Sequence, residues 1–138
     1  MSKTFFAAYG FTALVFLTLD AIWLGAVSPG FYQSHVGGLL LARPRLDAAV
    51  LFYLIYLLGI VSFCVLPALK AGTPRRAGWL GLLFGVVAYA TYDLTNLATL
   101  AGWSEAVVAV DMAWGGFATA VAALAGACAT RAITARRA

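Results

Sequence analysis

Three acidic residues, Asp20, Asp93 and Asp111, lie inside apolar stretches long enough to cross a lipid bilayer. An ionisable side chain at membrane depth costs several kcal/mol unless a partner compensates it, and such residues often mark a functional site. Carboxyl groups in this setting can act as general acids and bases or can anchor a ligand. The three acids are therefore the candidate catalytic residues of the chain.

Other polar side chains accompany these acids along the sequence. Asp93 lies in the stretch from Tyr89 to Asn96, which also carries phenols, hydroxyls and an amide. Asp20 and Asp111 are each followed three residues later by a tryptophan, whose ring then lies on the same helical face. Its indole N–H is a suitable donor to a carboxylate. The residues predicted to line a ligand-binding pocket are Tyr89, Tyr92, Asn96, Trp114, Trp23, Tyr53 and His35.

The composition indicates that lipid is the solvent for most side chains. The chain has 138 residues, of which 64% are hydrophobic and 10% are charged, whereas soluble domains carry about 25% charged residues. The formal charge of +4 comes from basic residues between and after the apolar runs. This distribution indicates how the chain is oriented in the membrane, and no nucleic-acid binding is predicted from it. Neither cysteine has the spacing of a disulfide or a metal site, and no metal or other cofactor is predicted.

Four apolar runs predict an all-α fold, a four-helix transmembrane bundle that forms one membrane domain over residues 1–138. Ser28-Pro29-Gly30 breaks the first helix. The segment that follows is too short to span, so it is expected to lie along the surface or to dip in as a short helix. The predicted spans cover about residues 5–27, 48–69, 77–101 and 106–130, with the interfacial segment at 28–47 and a basic tail at 131–138.

The distribution of basic residues predicts the orientation, because these residues prefer cytoplasmic loops. One side would carry seven of them and the other side only Arg43 and Arg45. Both termini of this multi-pass protein are therefore expected in the cytoplasm. The seven are Lys3, Lys70, Arg75, Arg76, Arg131, Arg136 and Arg137.

This orientation places the three acids at one depth. With a rise of about 1.5 Å per residue, all three lie roughly 6–9 Å outside the midplane, and Tyr53 falls at a similar level. Gly81, Gly85, Tyr89 and Asp93 follow at four-residue spacing and share one face of the third helix. Because glycines permit close helix packing, this face is expected to point into the bundle.

Lysine and arginine are absent from the apolar runs, so the acid layer has no counter-ion of its own. Ionised carboxylates together in a low dielectric would repel one another. Four arrangements would relieve this repulsion: protonation of one or more acids, a bound cation or cationic ligand, a wet layer, or a reach from the first loop by Arg43, Arg45 or His35. In a further alternative the acids are purely structural, and their hydrogen bonds to Tyr, Asn and Trp side chains hold the helices together.

The chain resembles DUF2177, a family of small bacterial membrane proteins filed as a domain of unknown function. The resemblance covers nearly the whole chain. It rests on four motifs, which are Asp20-x-x-Trp23-Leu24-Gly25, Phe52-Tyr53-Leu54-Ile55-Tyr56, Gly85 through Asn96, and Asp111-x-x-Trp114-Gly115. The resemblance implies a four-helix integral membrane protein, which is expected in the bacterial inner membrane, and it carries no activity to transfer.

The first functional hypothesis is a polar, acid-lined pocket in the outer leaflet that binds a small molecule or lipid. The protein would then be a binding protein, or an enzyme that modifies a lipid or isoprenoid with Asp93 as its central acid/base. The second is a proton-coupled cation transporter, which would need a homo-oligomer because four helices are few to enclose a pathway. The third is an accessory or structural subunit that has no ligand of its own. Membrane lipids are the predicted partners under each of the three hypotheses.

Overall fold

Four long helical stretches run through residues 2–135, the part of the chain described by the computed structural model. Their length and composition suit them to cross a membrane, and the spans are Lys3–Ala26, Leu46–Lys70, Arg75–Thr99 and Glu105–Ala135. The predicted four-helix bundle is therefore confirmed. The elements are α1 (Ser2–Ala26), α2 (Ser28–Val36), a 3-10 turn (Gly37–Leu39), α3 (Leu46–Ile60), a π-helical turn (Val61–Val65), α4 (Leu66–Lys70), α5 (Arg75–Thr99) and α6 (Glu105–Ala135).

The interfacial segment forms a short helix, as the sequence predicts. The first span ends at Ala26, and α2 begins two residues later with Pro29 in its first turn, where a missing N–H costs little. Most of α2 is exposed, but Val36 is buried. This helix therefore folds over the end of the bundle that holds the acids.

The last helix is longer than the apolar pattern suggested. It continues to Ala135, so Arg131 belongs to α6 rather than to a separate tail. Residues 131–135 include strong helix formers, Ala and Arg, and contain no Gly or Pro, so nothing in this segment stops the helix where the apolar run ends. Arg136 and Arg137 lie outside the described residues, and the orientation of the termini stays a prediction.

The closest helix pair is α5 against α6, and small residues make it possible. An added Cβ at Gly81 would lie 2.8 Å from the Thr119 carbonyl oxygen, and one at Gly85 would collide with the Gly115 backbone. The two backbones therefore touch, as small residues allow in membrane helices. This contact fixes the rotation of α5, and Asp93 on the same face is consequently buried.

The second span changes its helical pitch before Pro67. The Leu66 N–H bonds to the Val61 carbonyl, five residues earlier, which is a π-helical bond. A proline ring would otherwise clash with the carbonyl four residues before it, that of Phe63. The wider turn absorbs this clash, so the helix runs on to Lys70 and holds Tyr53 and Tyr56 against α1 and α6.

Candidate functional site

The three acids that lie inside the spans are buried in the bundle. Asp93 is 0% exposed, Asp111 is 6% exposed and Asp20 is 7% exposed. Asp111 lies within electrostatic range of both of the others. They come from α1, α5 and α6, so three different spans contribute a carboxyl group to one region of the interior.

Asp20 joins three of the spans through hydrogen bonds. Its Oδ2 accepts the hydroxyl proton of Tyr53 on α3. Its Oδ1 accepts the indole N–H of Trp114 on α6 at 3.4 Å. Both carboxyl oxygens of Asp20 therefore have protein partners, which fits a structural role in which Asp20 links neighbouring helices by hydrogen bonds.

Asp111 receives its partner from outside the spans. The hydroxyl of Tyr32, on α2, donates to Asp111 Oδ1, and the indole N–H of Trp23 donates to the Tyr32 oxygen at 3.3 Å. Burial raises the pKa of the Tyr32 hydroxyl, and the Asp111 carboxylate in front of it raises that pKa further. Tyr32 therefore keeps its proton and stays a donor.

The indoles of Trp23 and Trp114 are stacked on each other. The ring centroids of Trp23 and Trp114 lie 4.4 Å apart, and the ring planes differ by 12°. Each indole also donates a hydrogen bond, one to Tyr32 and the other to Asp20. The pair thus links the hydrogen bonds of Asp20 to those of Asp111.

Asp93 differs from the other two acids. Both of its carboxyl oxygens are buried without a hydrogen-bond partner among the described residues. The turn after α5 contains Gly102 at φ +81, a left-handed conformation that favours glycine, and it returns the chain toward α6. The Trp103 indole lies next to the Asp93 carboxylate. The two do not meet at hydrogen-bonding geometry, and the buried Trp103 Nε1 also lacks a partner.

The aromatic residues near Asp93 occupy two different positions. Tyr89 packs into the bundle, where its ring fills the space in front of Gly115 and meets Tyr56 at 6.3 Å between centroids. Tyr92 is 56% exposed and packs edge-on against Trp103 at 5.6 Å. Asn96 is half-buried one turn further along α5. Tyr92 therefore flanks the Asp93 region from its outer side.

The residues of the first loop that were considered as counter-ions stay at the surface. His35 is exposed, and its Nδ1 lies 3.0 Å from the Ser34 hydroxyl and 2.8 Å from the Phe31 carbonyl oxygen. Arg45 pairs with Asp47 at 2.6 Å, and Arg43 is exposed. The side chain that does extend from this connection to an acid is that of the neutral Tyr32, which donates to Asp111.

Two residues of the site were missed by the sequence analysis, Tyr32 and Trp103. Both lie in connections that the charge pattern places on the same side of the membrane as the acids. Both combine an apolar ring with a polar tip, a type of side chain that is common at membrane interfaces and that finds a hydrogen-bond partner when it is buried. That combination of loop position and residue type is the signal that would have pointed to them.

The described residues contain no group of three or more His, Cys, Asp or Glu side chains that is placed to hold a metal ion. Two of the acids are bonded to tyrosines and an indole, and Asp93 has an indole as its polar neighbour. The polar neighbours that the structure gives these three acids are therefore uncharged hydrogen-bond donors.

A protein-family model described as "Predicted membrane protein (DUF2177)" matches residues 5–128 of the chain. The match includes Asp20, Asp93, Asp111 and both tyrosines that donate to them. No curated protein and no solved structure matches the chain.

Proposed function

We propose a ligand-binding function for this chain, which belongs to the DUF2177 family of predicted membrane proteins. The ligand is a lipid or a small molecule that carries a hydroxyl group. Asp93 anchors this hydroxyl in the half of the bundle that holds the acids, and Trp103 binds the same group from the adjoining turn.

The observation that carries the proposal is the lack of a partner for Asp93. Buried polar groups in proteins nearly always have hydrogen bonds, and an unsatisfied one costs about 1–3 kcal/mol, or more when it is charged. Asp20 and Asp111 follow this rule through Tyr53, Trp114 and Tyr32. A purely structural role accounts for those two acids but gives no reason to keep a buried Asp93.

The hydrogen-bonding character of Asp93 and Trp103 indicates which functional group the ligand carries. Asp93 offers carboxyl oxygens as acceptors, and Trp103 offers an N–H as a donor. A hydroxyl group both donates and accepts, so one hydroxyl satisfies both side chains at once. An ammonium group has no lone pair for the Trp103 N–H and would satisfy only Asp93.

The surroundings favour a lipid alcohol over a freely soluble molecule. Tyr92 is more than half exposed and packs on Trp103, so an aromatic surface leads from the site toward the outside of the bundle. Leu94 and Leu97 are also exposed on the same helix. In a membrane these side chains face acyl chains, and an apolar tail can lie along them while its hydroxyl binds Asp93.

Mass spectrometry of the compounds that co-purify with the protein tests the proposal. Wild type, Asp93→Asn and Asp47→Asn are extracted in the same mild detergent, and their bound lipids and small molecules are compared. Asp47 is exposed and paired with Arg45, so it is the matched control. We expect a hydroxyl-bearing compound that Asp47→Asn retains and Asp93→Asn loses about tenfold, since a hydrogen bond to a charged group contributes about 1.5–3 kcal/mol.

A second variant separates binding from folding. Trp103→Phe keeps the ring against Tyr92 and removes the indole N–H, so it should lower the amount of the same compound without unfolding the protein. The thermal stability of Asp93→Asn and of Trp103→Phe is measured beside that of wild type, and both variants should still unfold cooperatively, with at most the loss of stability that follows from losing a bound ligand. If all four proteins carry the same compounds in the same amounts, the proposed site is wrong.

A further inference from the structure

A groove of about 850 Å³ opens at the end of the bundle opposite the acids. It lies between the beginning of α1, the end of α4 and the end of α6, and its lining includes Phe5. Phe5 precedes Asp20 by fifteen residues on one helix, which separates the groove from the acid layer by about 22 Å. The groove is therefore independent of the site at Asp93.

Apolar and basic side chains both line this groove. One wall is apolar and consists of Phe5, Phe6, Leu66 and Leu69. Lys70 and Arg131 also line it, and none of the described residues that line it is acidic. An apolar wall beside paired positive charges matches a molecule with an acyl chain and an anionic head group.

Arg131 is held in place by the loop between α4 and α5. Its Nη1 donates to the Gly72 carbonyl at 2.9 Å, and Gly72 adopts a left-handed conformation with φ +67. A guanidinium group has five N–H donors. This bond uses one of them, so the remaining donors of an oriented Arg131 are available to a phosphate.

We propose that this groove binds one anionic phospholipid, with its phosphate between Lys70 and Arg131 and an acyl chain against the apolar wall. The basic residues Lys3, Arg75 and Arg76 cluster at the same end of the helices. The positive-inside pattern assigns this end to the cytoplasmic leaflet, where anionic lipids are concentrated.

Native mass spectrometry of the purified protein tests the proposal. Phosphatidylglycerol and phosphatidylcholine with identical acyl chains are titrated separately, and inorganic phosphate is added as a competitor. We expect wild type to bind phosphatidylglycerol in preference. Lys70→Gln and Arg131→Gln should each weaken this binding about fivefold, in line with the contribution of one basic residue near an anionic surface.

Arg43→Gln is the matched control, because Arg43 is an exposed arginine at the other end of the bundle. It should bind phosphatidylglycerol as wild type does. Lys70 is exposed, and the loop is held by Arg131 rather than by the Lys70 side chain. Lys70→Gln therefore reports on lipid binding even if Arg131→Gln disturbs the loop. Equal affinity for the two lipids, an equal loss in Arg43→Gln, or displacement by inorganic phosphate at equal concentration would each overturn the proposal.

Discussion

Trp114 stacks on Trp23 across the α1–α6 interface, and its indole N–H donates to Asp20 rather than to Asp111 on its own helix. The two Asp-x-x-Trp pairs of the sequence are thus crossed in the structure. Each tryptophan contacts the other one, and Trp114 bonds to the acid that belongs to its partner's helix. This crossing couples the position of α1 to that of α6 at the depth of the acids.

Trp114→Phe should lower the free energy of unfolding by about 1 kcal/mol, because it removes one hydrogen bond and retains an aromatic ring. Trp114→Leu should lower it by a further ~1 kcal/mol, since the stacking with Trp23 is also lost. Unfolding by denaturant in detergent micelles measures both changes. Trp79→Phe is the control and should be neutral, because Trp79 is 75% exposed. Equal effects at positions 114 and 79 would contradict the hydrogen-bonded stack.

Tyr32→Phe should cost about 1 kcal/mol at neutral pH, because Asp111 loses its donor. The pKa of Tyr32 is raised in the folded protein above its ordinary value of about 10. The stability gained from this bond is therefore fully present below about pH 10 and is lost as the pH rises through the higher folded pKa. Denaturant unfolding of wild type and Tyr32→Phe from pH 6 to 11 checks this. A difference that grows above pH 10 would show that the sign is wrong.

Gly85→Ala should destabilise the bundle by about 1–3 kcal/mol, because its Cβ would collide with the Gly115 backbone and force α5 away from α6. Gly10→Ala is the matched control on α1, where an added Cβ meets nothing within 4 Å. That variant should gain about 0.5–1 kcal/mol from the better helix propensity of alanine. Thermal unfolding of both variants in one detergent provides the comparison, and an unchanged Gly85→Ala would contradict the close packing of the two backbones.

Cysteine labelling tests the orientation predicted from the basic residues. In a background where Cys64 and Cys128 are replaced by alanine, Gly38→Cys should react with a membrane-impermeant maleimide added outside intact cells. Thr73→Cys should react only after permeabilisation, because its loop would be cytoplasmic. Both positions are exposed, so accessibility within the protein does not bias the comparison. The reverse labelling pattern would invert the orientation.

The sequence predicted the fold because spans and helix faces are local properties. Gly81, Gly85 and Asp93 share a face through their spacing alone, and all three are buried. Asp111, Gly115 and Thr119 are buried on α6 for the same reason. The length of α6 was underestimated, because hydropathy reports where lipid ends and helix propensity decides where the helix ends.

The amino-acid sequence thus determined four membrane helices and three acids that face inward, since hydrophobic periodicity requires only neighbours in the chain. The tertiary structure decided which acids have partners. Tyr32 reaches Asp111 across 79 positions, and Trp114 reaches Asp20 across 94. Such pairings depend on the rotation and offset of whole helices, which no local pattern encodes. They satisfy two carboxyl groups and leave Asp93 beside Trp103, and this difference distinguishes one acid from the other two.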